Sequence, residues 1–550
     1  MPTVKLNRKV FEKLVGRKLP EQELKHKISM LGTDLESVDK DEINVEVFPN
    51  RPDMLSEQGF ARAFSAFIGE KPGIRKYEIK KSNAQVIIDK SVSEVRPYTA
   101  CAIVRNLKID DEKIREIIQL QEKLHVTYGR NRKKAAIGIY PLEKIKLPIH
   151  YKALPPNQIK FRPLEASREM TAEEILNEHP TGKEYGHLLK GKKAYPVFLD
   201  SSGSILSMPP IINSALTGRV TEETTDVFIE CSGHDFEVLS TLLNMIVTAL
   251  ADMGGSIESM ELKYPDKNIV TPDLTPKKMP IDISYAEKKL GLKLSGEEVK
   301  RLLERMGYFV DSSFNVHIPA YRADILHPID LVEDIAIAYG FDNFSPEIPS
   351  IASTAKQDRE YGLNHKAASV LTGLGFQETS SYHLTGSEQQ TERILMPDEE
   401  VIMLSSSVNE EYNSLRKRLF PVLLDVLSRN RHHEYPHRIF EIGSVFSKSS
   451  KTETGVNEET NLAVLNASLE TSFTEAKQQL DALMRAFDAE YKLEPANYPS
   501  FIPGRCAEIE INGKKAGIIG EIHPAVLQNF DLPVPVAGFE IRLSPLYLNL

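Results

Sequence analysis

One stretch of this chain occurs twice, and no other feature restricts the fold as much. LVGRKLPEQELKHKISMLG at residues 14–32 lines up with KLGLKLSGEEVKRLLERMG at 289–307, and each copy sets its two glycines 16 residues apart, Gly16 to Gly32 and Gly291 to Gly307. Downstream, INVEVFPNRPDML and FNVHIPAYRADIL share Arg-x-Asp, at Arg51 and Asp53 in the first copy and at Arg322 and Asp324 in the second. From each of those Asp residues to a closing glycine, Gly69 or Gly340, is again 16 residues. Apolar periodicity reads as helices and strands in the same order in both copies, so one small α+β domain is used twice.

The copies differ in their acids. In the second, Pro328 suits a first helical position and Gly340 a left-handed stop, which predicts a helix over 328–339. Asp330, Glu333 and Asp334 fall together on one face of it, with Asp324 entering from the preceding loop. Four converging carboxylates would repel unless a cation sat among them, and all-oxygen ligation without His or Cys favours Mg²⁺. The alternative is that acids in a first helical turn cap free N–H groups and complement the macrodipole. Positions 330, 333 and 334 fall on Gly59, Arg62 and Ala63 in the first copy, so the shared scaffold does not require the acidic trio, whereas the shared Asp324 suits a structural cap.

At 550 residues the chain exceeds a single core. Its proline-bearing linkers divide it into four regions: 1–83, the first small α+β domain; 84–270, a central α+β domain; 271–347, the second small domain with the acid helix; and 348–550, a wide antiparallel sheet with flanking helices. The fold class is therefore multidomain α+β. A net charge of −10 opposes generic polyanion binding, so DNA binding is not expected, though a local basic patch is allowed. Cys101, Cys231 and Cys506 are scattered and in no CxxC spacing, which points to a reducing compartment without a zinc site. The N-terminus lacks a signal-peptide core, and the most apolar run, 238–253, is interrupted by Ser, Thr, Asn and Asp, so it reads as a buried helix. Cytoplasmic location and no membrane contact follow as expectations.

Three stretches of the central region could carry chemistry. GRNRKK at 129–134 presents Arg130, Lys133 and Lys134 for phosphate contact, or is a solvated loop. SMPPIINSALTGR at 207–219 is a proline-stiffened turn carrying Asn213, Ser214 and Thr217, and TEETTDVFIECSG at 221–233 alternates like a strand and carries Thr225, Glu230 and Ser232. Small hydroxyls and an amide beside one carboxylate suit a pocket that positions water, and equally suit ordinary turns. No P-loop, HxGH-type or KMSKS-type nucleotide signature, or G-x-S-x-G elbow is present.

Six motifs in order then bring a family into view: FPNRPDML near 50, GRNRKKAAIGIY at 129–140, MPPIINS at 208–214, YRADILHPIDLVEDIAIAYGF at 321–341, RIFEIGSVF at 438–446, and PGRCAEI with IGEIHP near the end. In these the chain resembles the beta subunits of phenylalanine–tRNA ligase, in the shorter archaeal and eukaryotic-type form. The resemblance implies an alpha partner that carries the synthetic active site, two alpha and two beta chains, phenylalanine tRNA, ATP as the complex's substrate, and Mg²⁺ on Asp324, Asp330, Glu333 and Asp334. It makes 84–270 an editing domain that hydrolyses tyrosyl-tRNA, with Glu230, Asn213, Ser214 and Ser232 in its pocket and Arg130, Lys133 and Lys134 near RNA. A site for phenylalanine's apolar ring rejects a hydroxylated near-isostere only about 10²-fold, which is why a second site would be needed. The last region resembles a class II synthetase module without its third, ATP-holding motif, so Arg416 and Glu441 would be structural or interfacial. A free-standing aminoacyl-tRNA hydrolase and a nucleic-acid-binding scaffold are the alternative readings.

Overall fold

The repeat is a topological one. The computed structural model describes residues 2–407 and 409–547. In the first copy, Thr3–Asn7, Glu42–Glu46 and Asp34–Val38 form an antiparallel sheet in that order; in the second, Lys277–Pro280, Asn315–Ile318 and Phe309–Val310 repeat it. Each sheet is followed by a closing helix, Glu57–Phe67 in one and Pro328–Tyr339 in the other. All three matched glycine pairs lie at positive φ: +91° and +68°, +93° and +85°, +80° and +97°. An L side chain is strained there, so the 16-residue spacings mark where helices must stop. Gly340 does so with ψ 119°, outside the left-handed helical well expected of it.

By chain contacts the molecule divides into two compact units, Met1–Ile348 and Pro349–Leu550. Within the first, both copies and the strands around Tyr98–Arg105 share one continuous core, to which Phe11, Phe60, Ile246 and Ile335 all belong. An 11-stranded mixed sheet runs through the central region. Nine strands form its path, Ile212–Asn213, Ile205–Met208, Tyr195–Leu199, Ile149–Leu154, Gln85–Ile88, Ser256–Lys263, Tyr98–Arg105, Val227–Gly233 and Ala135–Pro141, and Ile79–Lys80 and Asn268–Thr271 pair with Ser256–Lys263 off that path. The apolar run expected to be a buried helix is Phe236–Asp252, with ten buried residues including Leu242 and Leu250.

The second unit is built on a 7-stranded sheet ordered Gln377–Glu378, His437–Lys448, Val456–Ala467, Val536–Arg542, Lys514–Ile522, Phe501–Ile511 and Tyr491–Pro495. It is antiparallel except at the Gln377–Glu378 edge. Helices Arg359–Gly373 and Phe473–Ala486 contribute to the core on one face, Phe420–Arg429 to that on the other. Strand Val456–Ala467 is therefore buried on both faces, which explains its unbroken apolar stretch LAVL. No helix among the described residues is long and apolar enough to cross a membrane.

Candidate functional site

Strand Val227–Gly233 runs between Tyr98–Arg105 and Ala135–Pro141, with Glu230 opposite Cys101 on one side and Gly138 on the other. Strand alternation sends Phe228, Glu230 and Ser232 to the same face. Glu230 is only 2% exposed, and the Tyr140 hydroxyl donates toward it, with Oε1 at 3.2 Å and the Asn213 Oδ1 at 3.3 Å. Tyr140 stacks on Phe228 with ring centroids 5.7 Å apart. A Cβ at Gly138 would stand 2.2 Å from the Tyr140 hydroxyl and 2.6 Å from Glu230 Oε1, so this close pairing requires glycine. Arg96, also buried, donates from Nε to Ser232 Oγ at 3.2 Å and from Nη2 to the Ser232 carbonyl at 2.5 Å.

Burial pushes the Glu230 carboxyl up to about 8, against the pull of the Tyr140 hydroxyl and the Arg96 charge, so at neutral pH it is mostly a neutral acid. Two buried polar atoms here have no hydrogen-bond partner among the described residues, Glu230 Oε2 and Ser207 Oγ. Both atoms are enclosed, and the Ser232 hydroxyl acts on the Glu230 carboxyl and the Ser207 hydroxyl on Tyr140, so the polar groups form one compact buried cluster.

Of the four residues expected in this pocket, the structure gathers Glu230 and Asn213 around Tyr140 and sets Ser232 on the same strand face. Ser214 is used differently: its Oγ accepts from the Leu216 N–H at 3.3 Å, which folds the local turn. Tyr140, Ser207, Arg96 and Gly138 were not singled out from the sequence, although period-2 alternation through AAIGIY already places Gly138 and Tyr140 on one face.

The basic turn after helix Asp111–Val126 carries three consecutive left-handed residues, Arg130, Asn131 and Arg132, at φ 48°, 51° and 63°. Arg132 points inward: its Nη1 donates to the carbonyls of Ile211 at 2.8 Å and Pro210 at 3.2 Å, and its guanidinium lies 4.3 Å from the Tyr185 ring centre. It ties the basic turn to the proline turn that carries Asn213. Arg130 and Lys133 are exposed, and Lys134 is half-buried near the Tyr128 ring.

The acid helix has its own internal cation. Arg322 forks onto Asp324, Nε to Oδ1 and Nη2 to Oδ2 both at 2.7 Å, and its Nη2 also reaches Asp334 Oδ2 at 2.9 Å. The Tyr308 hydroxyl donates to the same Asp334 oxygen. Asp330 accepts from the Leu326 and His327 N–H groups, both at 2.8 Å, as the far half of a capping box, and Glu333 is exposed. Arg51 and Asp53 repeat the fork in the first copy at 2.9 Å. The expectation that these carboxylates must repel without a metal is thus corrected: Arg322 and backbone amides answer three of the four. Among the described residues no three His, Cys, Asp or Glu side chains group so as to hold a metal ion: Asp324 and Asp334 are both turned onto Arg322, and Asp330 onto backbone amides.

In the second unit Arg416 is buried and paired with Glu441 at 2.5 Å, while the Ser381 hydroxyl donates to the other Glu441 oxygen at 2.6 Å. The pair ties the segment just after strand Ser414–Leu415 to strand His437–Lys448.

Two family models match the chain: a tRNA synthetase B5 domain over residues 279–341, and the phenylalanyl tRNA synthetase beta chain CLM domain over 345–543. They place it among the subunits of aminoacyl-tRNA ligases. The phenylalanine–tRNA ligase beta subunit of Pyrococcus furiosus is 43% identical over 556 residues, covering 100% of both chains. That of Thermococcus sibiricus is 44% identical over 501 residues, 90% of each, and that of Archaeoglobus fulgidus 39% identical over 553 residues, 100% of this chain and 99% of the relative. The chain belongs to the family of phenylalanine–tRNA ligase beta subunits. A crystal structure of an N-terminal fragment of the Pyrococcus horikoshii phenylalanyl-tRNA synthetase beta subunit aligns with a TM-score of 0.60 at 43% identity, covering 62% of this chain and 99% of the fragment.

Proposed function

We propose that this chain is the beta subunit of a phenylalanine–tRNA ligase, that it supports ATP-dependent attachment of phenylalanine to its tRNA by an alpha partner, and that its Glu230 pocket hydrolyses mischarged tyrosyl-tRNA. In this reading 1–83 and 271–347 are paired scaffold domains, 84–270 the editing domain and 348–550 a class II-like docking module, assembled with two alpha and a second beta chain in the cytoplasm. ATP and Mg²⁺ enter as reactants of the charging step on the alpha partner.

The single observation that carries the editing reading is the pose of Tyr140. A phenol hydroxyl already sits between Glu230 and Asn213, so the polar chemistry of this place suits a phenol. Tyr140 holds Oε1, and entry of a bound tyrosine's hydroxyl to the enclosed Oε2 and Ser207 Oγ requires this cluster to open. Phenylalanine offers no hydroxyl, would leave both atoms unpaired in a dry site, and is rejected for that reason. The neutral acid favoured by burial receives a phenol without a charge to desolvate. Arg132 fixes the turn that carries Asn213, and Arg130, Lys133 and Lys134 lie on the same loop, where they meet the tRNA end.

The test is assembly followed by phenylalanine-dependent ATP–pyrophosphate exchange on each chain alone and on the pair. Exchange that needs the alpha chain, and an alpha chain that co-purifies with this one, are expected. Adenylation by this chain alone, or no association, would overturn the subunit reading in favour of a free-standing hydrolase.

A further inference from the structure

The two copies of the repeated domain meet over a cavity of about 20 Å³. Its wall takes Arg51, Arg62, Lys71 and Arg75 from the region of the first copy and Tyr321 and Arg322 from the second. Arg51, Arg62 and Arg322 are each more than nine-tenths buried, whereas Lys71 and Arg75 are exposed. Arg51 and Arg322 are matched residues of the repeat, so the same fork approaches the cavity from both copies. Arg62 joins them from helix Glu57–Phe67, with its guanidinium 4.0 Å from the ring centre of Tyr321 in the other copy.

Each guanidinium is answered on one side alone. Arg51 gives Nε and Nη2 to Asp53, Arg322 gives Nε and Nη2 to Asp324 and Nη2 also to Asp334, and Arg62 gives Nη1 to Asp252 at 2.9 Å and to the Tyr77 hydroxyl at 2.7 Å. Arg51 Nη1, Arg62 Nη2 and Arg322 Nη1 have no hydrogen-bond partner among the described residues, and, unlike Arg132 Nε, none of them is enclosed. The five cations here meet four carboxylates, Asp53, Asp252, Asp324 and Asp334, of which Asp53 alone lines the cavity. One positive charge is left over. Burial and the Arg322 charge both act against Arg51 keeping its proton, a cost that Asp53 and Asp324 offset. A neutral water in the cavity would accept from these donors and leave the charge, whereas an anion answers both.

We infer that this cavity binds a single monatomic, univalent anion of the chloride class, held by Arg51, Arg62 and Arg322 and joining the two copies of the repeat. Size selects the class: about 10–15 Å³ is enough for one water-sized body, and a tetrahedral oxyanion such as phosphate does not fit in the space. The site rests on no reading of the Glu230 pocket, and no bond is made or broken in it.

Two measurements on the full chain test this. Crystals soaked in sodium bromide show anomalous bromine density between Arg51, Arg62 and Arg322. Thermal unfolding at constant ionic strength, with gluconate replaced stepwise by chloride, gives a midpoint that rises by about 2 °C or more and saturates, because gluconate is too large for the cavity. Arg51→Met combined with Asp53→Asn removes one fork as a unit and strands no carboxylate, and Ala63→Leu fills the cavity while leaving every ion pair in place. Both variants lose the chloride response, and Glu230→Ala keeps it. The inference is overturned if bromine density is absent from the cavity, if the midpoint does not change when chloride replaces gluconate, or if either variant, folded, responds as wild type does. It is also overturned if phosphate gives the same rise at lower concentration, since the exposed mouth at Lys71 and Arg75 would then be a phosphate site.

Discussion

Replacing Glu230 by Gln keeps the shape of the side chain and removes its charge, and the effect on stability has a sign and a size. An acid that titrates at 4.5 in the unfolded chain and at about 8 when buried must recover a proton on folding. The folded state is therefore penalised as pH rises above 4.5, and the penalty is complete above pH 8. From those two values it amounts to about 1 kcal/mol at pH 5, about 3 kcal/mol at pH 7 and about 5 kcal/mol at pH 9. Burial of Glu230 is nearly complete, so solvent screening does not reduce these figures appreciably. Glu230→Gln escapes the penalty, less about 1 kcal/mol for a poorer match to Tyr140. The variant should thus be close to wild type at pH 5 and more stable by a few kcal/mol at pH 9. The chain contains no Trp, so urea unfolding followed by far-UV circular dichroism at pH 5, 7 and 9 is the suitable assay, with hydrogen exchange of Val227–Gly233 reporting on this unit. A stability difference that is constant across that range, or that shrinks as pH rises, would refute a buried neutral acid at this position.

Arg322→Met strands two carboxylates, Asp324 and Asp334, and should cost about 3–5 kcal/mol of stability by denaturant unfolding, more than Arg51→Met, which strands only Asp53. Equal losses would mean that Asp334 does not depend on Arg322. Tyr140→Phe keeps the stack on Phe228 but removes the hydroxyl donor, so tyrosyl-tRNA clearance should slow by about tenfold while phenylalanine charging is unchanged. Clearance at the wild-type rate would separate Tyr140 from the site.

The repeat was legible because its physical cause is local. Helix stops at positive φ call for glycine, and the Arg-x-Asp fork joins residues two apart, so both leave a spacing in the sequence. The same fork accounts for part of the acidic charge near residue 330: Arg322, two residues before Asp324, pairs with Asp324 and Asp334. Asp334 could not be assigned at all from spacing, because its partners Arg322 and Tyr308 reach it through tertiary packing. In the central region Glu230 and Asn213 were found by chemistry on short turns and strands, whereas Arg96 lies 136 residues from its partner Ser232 and has no local signature. Strand order is hidden for the same reason: Gln85–Ile88 pairs with Ser256–Lys263 across most of the region. Ser214, identical in type to its useful neighbours, was taken by the turn it stabilises.

The most direct test of the central claim is single-turnover hydrolysis of tyrosyl-tRNA by the assembled complex, comparing wild-type chain with Glu230→Ala and using phenylalanyl-tRNA as the control substrate. The account predicts that wild type clears tyrosyl-tRNA and spares phenylalanyl-tRNA, and that Glu230→Ala lets tyrosyl-tRNA accumulate with phenylalanine charging intact. Unchanged tyrosine clearance by Glu230→Ala would contradict the assignment of this pocket.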